Sequence, residues 1–298
     1  MIIVIDALNK ERFSDLLDDM FRLRARVFGG RLGWDVQIKD GMEIDQFDHM
    51  DPAYVIGLDE GGHVISCVRA LQTTGPHMLA DVFQAILDGE PPLRSANIWE
   101  STRFCVDTHR LNEAGRPNAI SRATCELMIG SFEFARRSGI TDIITVIDPI
   151  MDRVLKRSDN APYGYVGSTK PMGKVSALAA LLDCSIERIN RVRAFAGIDE
   201  DVFASDDEVR QMLDRLKAKP TGFSRASLRL ISGSASPCMP QTLASNQDIV
   251  EYCEDQLRTA KTARDQAAAR ALIEALAGPT KCSADSGDHP SKGKSVRH

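Results

Sequence analysis

Charged and aromatic side chains recur between residues 24 and 103 at spacings that could serve chemistry. Three arginines, three acidic residues and three aromatic residues form this set: Arg24, Phe28, Trp34, Asp45, Asp48, Arg69, Phe83, Glu100 and Arg103. Carboxylates attract cations, arginines pair carboxylates, aromatic faces accept cations, and a glutamate can take up a proton. Taken singly, each residue also fits a structural role as a core side chain, a loop cap or a solvated helix face.

The fixed spacing of the whole set is the specific signal. Apart from Phe83, its members lie in the stretches RARVFGGRLGWDV, EIDQFD, ISCVRAL and WESTRFCVD. In these stretches the chain resembles the LuxI-type acyl-homoserine-lactone synthases, whose pattern is Arg, Phe, Trp, Asp-x-x-Asp, Arg, Phe and Glu-x-x-Arg at similar separations. The resemblance covers residues 1 to 195 and leaves the rest of the chain unexplained.

The resemblance implies that the chain makes a quorum-sensing lactone from two substrates. The amine of S-adenosylmethionine attacks a fatty acyl thioester, and its carboxylate then displaces methylthioadenosine from the sulfonium centre. S-adenosylmethionine is thus a substrate, and no cofactor is expected. The residues with implied catalytic roles are Glu100, Arg69, Asp48 and Arg103. The residues with implied substrate-binding roles are Arg24, Phe28, Trp34, Asp45 and Phe83.

The role of Glu100 stays open at this level. Glu100 and Arg103 are three residues apart in a predicted strand, so their side chains point to opposite faces unless a β-bulge intervenes. The resemblance implies a charge network that also includes Asp48 and Arg69. Within it, Glu100 either takes the amine proton, directly or through water, or orders the network. Backbone N–H groups of a splayed strand are the expected oxyanion donors.

Two further signals concern the acyl donor. Thr145 lies in the apolar stretch IITVID, at the position where the family resemblance associates a hydroxyl with 3-oxoacyl donors; a β-branched strand former is the alternative. The next helix carries Arg153, Lys156 and Arg157, a local basic cluster in an acidic protein. The resemblance implies that this helix docks acyl carrier protein, and a solvated helical face is the alternative.

Two other functions and one other mechanism compete with this interpretation. A coenzyme-A-dependent N-acyltransferase would carry a Q/R-x-x-G-x-G/A phosphate loop, which the stretch LNEAGRPN at 111–118 lacks, so a carrier-protein donor is favoured over acyl-coenzyme A. A catalytically dead paralogue that acts as a sensor is disfavoured by the presence of Glu100, Arg69 and Arg103. A nucleophilic mechanism through Cys105 has no nearby histidine partner in the sequence, which favours Cys105 as a core residue.

Composition excludes several broad classes. The chain has 298 residues, 43% of them apolar, and a formal net charge of −5, which argues against non-specific nucleic-acid binding. Seven scattered cysteines without a CxxC pair predict neither a disulfide framework nor a zinc site, and we expect no metal. Apolar runs are too short for a membrane span and the start does not resemble a signal peptide, which predicts a cytoplasmic protein.

The elements that must position these residues follow from hydrophobic periodicity. The pattern predicts helices at 8–26, 79–87, 121–137, 150–157 and 185–219, a glycine-interrupted loop at 29–44, a hairpin at 54–58 and 64–70, and strands at 96–106, 140–147 and 174–182. This alternation indicates an α/β fold with a mixed β-sheet packed by helices on both faces. The family resemblance implies an N-acetyltransferase-like version of that fold.

Composition along the chain also predicts its domain organisation. We expect a synthase domain at 1–198, a helical extension at 199–219, a linker rich in Ser, Pro, Gly and Thr at 220–246, a second helical extension at 247–277 and a disordered tail at 278–298.

Overall fold

Runs of apolar, often β-branched residues form the strands of this protein. The computed structural model describes residues 1–113, 118–172 and 175–218, so the predicted linker, second helical extension and tail lie outside the described residues. The strands are β1 (Ile2–Ile5), β2 (Ile38–Lys39), β3 (Met42–Glu43), β4 (Ala53–Leu58), β5 (Val64–Gln72), β6 (Ile98–Val106), β7 (Asp142–Ile147), β8 (Gly164–Met172) and β9 (Val175–Asp183).

Helices connect the strands and cover the sheet. The α-helices are α1 (Ser14–Arg24), α2 (Met78–Asp81), α3 (Thr108–Glu113), α4 (Ala119–Arg137), α5 (Pro149–Arg157), α6 (Ile186–Ala196) and α7 (Asp206–Ala218). Short 3-10 helices span Lys10–Phe13, Gln46–Met50 and Gln84–Leu87, and a π-helix spans Ala25–Arg31. Local signals set some ends: Asp148 caps α5 with Pro149 at the first position, and Gly197 ends α6 in the left-handed conformation.

Seven strands form one sheet in the order β1-β4-β5-β6-β7-β9-β8. The central strands β6 and β7 run parallel, and the other neighbouring pairs run antiparallel. The register of β6 with β7 ends at the Ser101–Thr145 pair, although β6 continues to Val106 and β7 to Ile147. The two strands therefore part after Ser101 and Thr145, which leaves an opening in the middle of the sheet.

Helices cover both faces of the central part of the sheet, which explains why β4 and β7 are nearly continuous apolar runs. On one face Val55, Val68 and Ile143 pack with Leu127 and Phe132 of α4. The opposite face packs against α1 in one cluster and against α2 in another. We call these the α4 face and the α1 face. The mixed sheet with helices on both faces confirms the predicted fold class.

Several element predictions differ from the structure. The helix predicted at 8–26 begins as a 3-10 turn and continues into a π-helix to Arg31, and the loop predicted at 29–44 contains the β2–β3 ribbon. Strands β1 and β8 are not predicted; β8 is a largely exposed edge strand with Gly and Pro, a composition that hides its strand character. The single helix predicted at 185–219 is two helices, separated after Gly197.

The segment from 199 to 218 packs onto the N-terminal part of the chain. Ile2 donates its backbone N–H to Val202 at 2.6 Å and accepts from Ala204 at 2.8 Å. Val209 of α7 is fully buried in the same apolar cluster as Leu16 of α1. Within the part of the chain that the structure describes, no helix is long and apolar enough to cross a membrane.

Candidate active site

A buried arginine–carboxylate network lies between α1, the 3-10 helix Gln46–Met50 and the sheet. Arg24, at the end of α1, donates from Nη1 and Nη2 to both oxygens of Asp48 at 2.8 Å each, and from Nε to Glu43 at 2.6 Å. All three side chains are almost fully buried. A bidentate arginine pair fixes both partners in direction as well as distance, so Arg24 is a fixed part of the site and its reading as a solvated helix face is wrong.

The two aspartates of the EIDQFD stretch are held by their own backbone. Asp45 accepts from the N–H of Phe47 at 2.9 Å, and Asp48 accepts from the N–H of Asp45 at 2.8 Å, which is a reciprocal capping box. Tyr54 adds a hydroxyl bond to Asp48 at 2.7 Å. These bonds give the segment a defined conformation.

Arg69 and Arg103 reach the same carboxylates from the sheet. Arg69 of β5 donates to Asp45 at 2.6 Å and to Asp48 at 2.7 Å. Arg103 of β6 donates to Glu43 and to Asp45, each at 2.9 Å. Three guanidinium groups thus face three carboxylates, and their formal charges cancel. The structure therefore brings Arg24, Asp45, Asp48, Arg69 and Arg103 together as the sequence motif implies.

The charges in this network stabilise one another. Burial by itself disfavours the charged form of Asp48, but hydrogen bonds from Arg24 and the charges of Arg24 and Arg69 outweigh it, so the pKa of Asp48 lies well below its ordinary value. In the same way the carboxylates outweigh burial and raise the pKa of Arg24 and of Arg69. Arg24, Asp48 and Arg69 consequently keep their charges near neutral pH.

A β-bulge explains how Arg103 joins this network. The register between β5 and β6 shifts between Cys67 and Arg69, and Arg103 has a φ of +56°, in the left-handed region. A non-glycine residue in this region is strained and is often found at functional sites. The bulge brings the guanidinium of Arg103 to the side of Glu100: Met78 donates its N–H to Glu100 and has its Sδ 3.6 Å from Arg103 Nη1.

Glu100 lies beside the network and is held by backbone amides. Its two oxygens accept from the N–H groups of Met78 at 2.6 Å and Leu79 at 2.7 Å, at the start of α2. Burial raises the pKa of Glu100 to about 7, although both amides and the charge of Arg69 act in the opposite direction. A carboxylate with a pKa close to neutrality is suited to accept and release a proton.

Phe28 and Trp34 form an aromatic wall next to Arg103. Their ring centroids are 5.0 Å apart, and the Arg103 guanidinium lies 5.4 Å from the Phe28 ring. Phe28 is buried, whereas Trp34 is 39% exposed. The wall thus has one face on the network and one edge towards solvent. Phe83 has a different position: it packs at the edge of an apolar cluster with Phe47, Leu71 and Met78.

The residues that the sequence analysis linked to the acyl donor lie outside the network. Thr145 projects to the α4 face, where its hydroxyl donates to the Ser101 carbonyl at 3.0 Å. Arg153, Lys156 and Arg157 are exposed on α5, and Lys156 also pairs with Asp152 at 2.6 Å. Cys105 is buried with its Sγ 3.5 Å from Cys67 Sγ, a contact that together with burial raises the pKa of Cys67, as expected for inert core thiols.

Sequence reasoning missed Glu43 and Thr102. Glu43 bridges Arg24 and Arg103, and Thr102 accepts from Arg69 Nε at 3.0 Å. Glu43 stands two residues before Asp45 in the quoted EIDQFD stretch, and an acidic residue so close to the motif is the signal that could have identified it. Among the described residues, no cluster of His, Cys, Asp and Glu could hold a metal ion.

Comparison with known proteins identifies the family that this chain resembles. A model described as "Autoinducer synthase" matches residues 8–192. The acyl-homoserine-lactone synthase of Agrobacterium fabrum (strain C58) is 38% identical over 172 residues, covering 58% of this chain and 81% of that protein.

Two solved structures have a similar fold. MesI, a coenzyme-A-dependent acyl-homoserine lactone synthase, is 26% identical with a TM-score of 0.59, over 69% of this chain and all of that one. TofI, in a ternary complex with an inhibitor and MTA, is 26% identical with a TM-score of 0.52, over 68% of this chain and all of that one. The chain belongs to the autoinducer synthase family and is an acyltransferase of the acyl-homoserine-lactone synthase type.

Proposed function

We propose that this enzyme transfers a fatty acyl group from acyl carrier protein to the amine of S-adenosylmethionine, closes the lactone and releases methylthioadenosine. The observation that carries the proposal is Glu100, a buried carboxyl with a pKa raised to about 7 beside a charge-balanced network of arginines and carboxylates. Such a site can hold a substrate of mixed charge and accept a proton from it.

Burial indicates which residues of the network meet S-adenosylmethionine. Arg24 and Asp48 are almost fully covered, whereas Asp45 is 18% and Arg103 is 9% exposed. Asp45 then attracts the ammonium group and Arg103 pairs the carboxylate, while Phe28 and Trp34 offer aromatic faces to the sulfonium. Arg24, Asp48 and Glu43 hold these groups in position. The complex of TofI with MTA supports a site for the adenosyl product in this family.

The reaction then needs two proton transfers and two displacements. Glu100 takes one proton from the ammonium group, directly or through a water, and the amine nitrogen attacks the thioester carbonyl. As the carbon–sulfur bond breaks and the amide forms, the second proton on nitrogen passes to the departing thiolate, so that the carrier leaves as a thiol. Backbone N–H groups of β6, where it parts from β7, can stabilise the negative oxygen of the intermediate. The S-adenosylmethionine carboxylate next attacks the carbon that bears the sulfonium, which closes the ring and expels methylthioadenosine.

The exposed basic residues of α5 support a carrier-protein donor. Arg153, Lys156 and Arg157 stand against one acidic residue of the same helix, Asp152, so the helix is a local positive surface on an acidic protein. Positive charge at a docking surface accelerates encounter with an acidic partner. An acyl-coenzyme A donor is the second candidate, because MesI is a coenzyme-A-dependent enzyme.

The experiment that tests this function uses the purified chain with S-adenosylmethionine and one acyl group on either carrier. Methylthioadenosine release gives the rate, and mass spectrometry of the second product identifies the lactone. We expect a higher kcat/KM with the acyl carrier protein. If acyl-coenzyme A is used as efficiently, the donor assignment is wrong while the synthase function stands. If neither thioester yields a lactone, the whole proposal is wrong.

A further inference from the structure

A small apolar cavity lies behind the strand that carries Glu100. It is on the α4 face of the sheet, has a volume of about 20 Å³, and is lined among others by Val55, Val68, Trp99, Ser101, Phe134 and Ile143. A space of this size holds about one water molecule. Because its walls are mostly hydrocarbon, the cavity favours an apolar occupant over water.

Two aromatic rings close one side of this cavity. Trp99 of β6 and Phe134 of α4 contact each other with ring centroids 5.3 Å apart at an interplanar angle of 45°. They are the largest side chains in the lining, and both are partly buried against the main apolar cluster. Ser131, one turn before Phe134 on α4, lines the cavity with a small side chain. The two rings therefore determine how far the cavity extends.

The opening between β6 and β7 lies next to this cavity, because Ser101, where the strands part, also lines it. The strands part after Ser101 and Thr145, and Trp99 and Ile143 lie two residues earlier on the same strands and the same face. Two residues of a strand span about 7 Å, which is roughly the length of five carbon–carbon single bonds in an extended chain. If the thioester of an acyl group lies in the opening and its third carbon lies at Thr145, five further bonds bring about its eighth carbon to Trp99.

We propose that Trp99 and Phe134 are the specificity-determining residues that end the acyl-chain pocket. By the strand distance they limit the acyl group to about eight carbons. This inference rests on the proposed function, because it requires an acyl thioester at the opening. The terminal carbons fill the cavity, and a longer chain meets the two rings, whose displacement disrupts close packing in the core.

The test compares acyl donors of different length with one carrier. Phe134→Ala removes one ring of the pair, and Phe195→Ala, which truncates a half-exposed phenylalanine of α6, is the matched control. For each variant we measure kcat/KM with a saturated donor of about twelve carbons and with one of about six carbons. Filling or emptying hydrophobic space by one methylene changes specificity about 10-fold to 200-fold. Phe134→Ala should therefore raise the ratio of kcat/KM for the twelve-carbon donor to kcat/KM for the six-carbon donor at least about tenfold.

The possible outcomes separate the two proposals. A folded Phe134→Ala protein whose ratio stays within about threefold of wild type overturns the inference and leaves the synthase function in place. Should that variant fail to fold, Phe134→Leu and Trp99→Phe replace it as tests. We expect a smaller increase in the same ratio for each of them. An unchanged ratio in both would overturn the inference. If wild type releases no methylthioadenosine with any donor, the proposed function falls, and the inference falls with it.

Discussion

Glu100 and Thr145 lie on neighbouring parallel strands one residue out of register, and their side chains project to opposite faces of the sheet. Glu100 pairs with Ile144, and Thr145 pairs with Ser101, at the last step before β6 and β7 part. Glu100, the proposed proton acceptor, is therefore on the α1 face, while the Thr145 hydroxyl is on the α4 face. In the proposed function, an acyl thioester in the opening meets S-adenosylmethionine on one side and extends its tail on the other.

Glu100→Gln should give a folded protein that is nearly inactive. The change removes the proton acceptor at almost constant shape, which typically lowers a rate about 100-fold to 10,000-fold. In wild type, burial raises the pKa of Glu100 to about 7, so kcat/KM should fall as the pH decreases below that value. Methylthioadenosine release across the pH range measures both effects. A variant within threefold of wild type would show that Glu100 has no chemical role.

The same pKa predicts how stability depends on pH. The pKa of Glu100 is near 4.5 in the unfolded chain and about 7 in the folded protein. The Glu100 carboxyl therefore keeps its proton to a higher pH when the protein is folded. Its contribution to stability is therefore present below about pH 4.5 and is lost between about 4.5 and 7. The melting temperature of Glu100→Gln, relative to wild type, should rise across this window. A constant difference would show that the pKa is not raised.

Glu43→Gln should destabilise the protein strongly. Glu43 bridges Arg24 and Arg103 in a buried network, and removal of one partner from a buried ion pair costs about 3 to 5 kcal/mol. The free energy of unfolding in urea measures this cost. Glu11→Gln, at an exposed glutamate, is the control and should change it little. An equally small change at Glu43 would contradict the network's role.

Thr145→Val tests whether the hydroxyl selects the donor. The change keeps the side-chain volume and removes one hydroxyl, which donates to Ser101 in this structure. If a 3-oxygen of the acyl group replaces that acceptor, discrimination of about 1 to 3 kcal/mol should be lost and products should shift towards unsubstituted lactone. Thr141→Val, at the exposed residue that precedes the same strand, is the control. An unchanged product ratio in paired competition would leave Thr145 as a strand former.

Reversing Arg153, Lys156 and Arg157 to Glu should raise KM for acyl carrier protein at least about tenfold, because like charges then oppose encounter. KM for S-adenosylmethionine should hardly change. The matched control reverses Arg210, Arg215 and Lys217, three exposed basic residues of α7, and alters the net charge by the same amount. If both triple variants behave alike at low salt, α5 is a solvated face and does not dock the carrier.

Two truncations test the role of α7. A chain that ends at residue 219 keeps α7 and every motif residue, so we expect normal activity and melting temperature. A chain that ends at residue 198 loses the fully buried Val209 and the backbone bonds to Ile2, and should melt at least about 4 °C lower. Equal melting temperatures would show that the segment from 199 to 218 contributes nothing to the fold. An inert 219-residue protein would show that later residues are needed.

The sequence by itself determined the main elements and a large part of the site, although not Glu43 and Thr102. Apolar periodicity predicted the β4–β5 hairpin, β6, α4, β7 and α5, because packing against one core imposes a fixed period on each element. The family spacing brought Arg24, Asp45, Asp48, Arg69 and Arg103 into one set, and they do contact one another.

Only the tertiary structure decided how these residues are used. The bond between Glu43 and Arg103 joins residues 60 apart, and spacing along a chain does not determine such a distance. The burial of Arg24, the left-handed backbone at Arg103 and the amides that hold Glu100 depend on how α1, the bulge and α2 pack together. Burial in turn shifts pKa values, so the acid–base properties of the site come from packing and cannot be obtained from residue types alone.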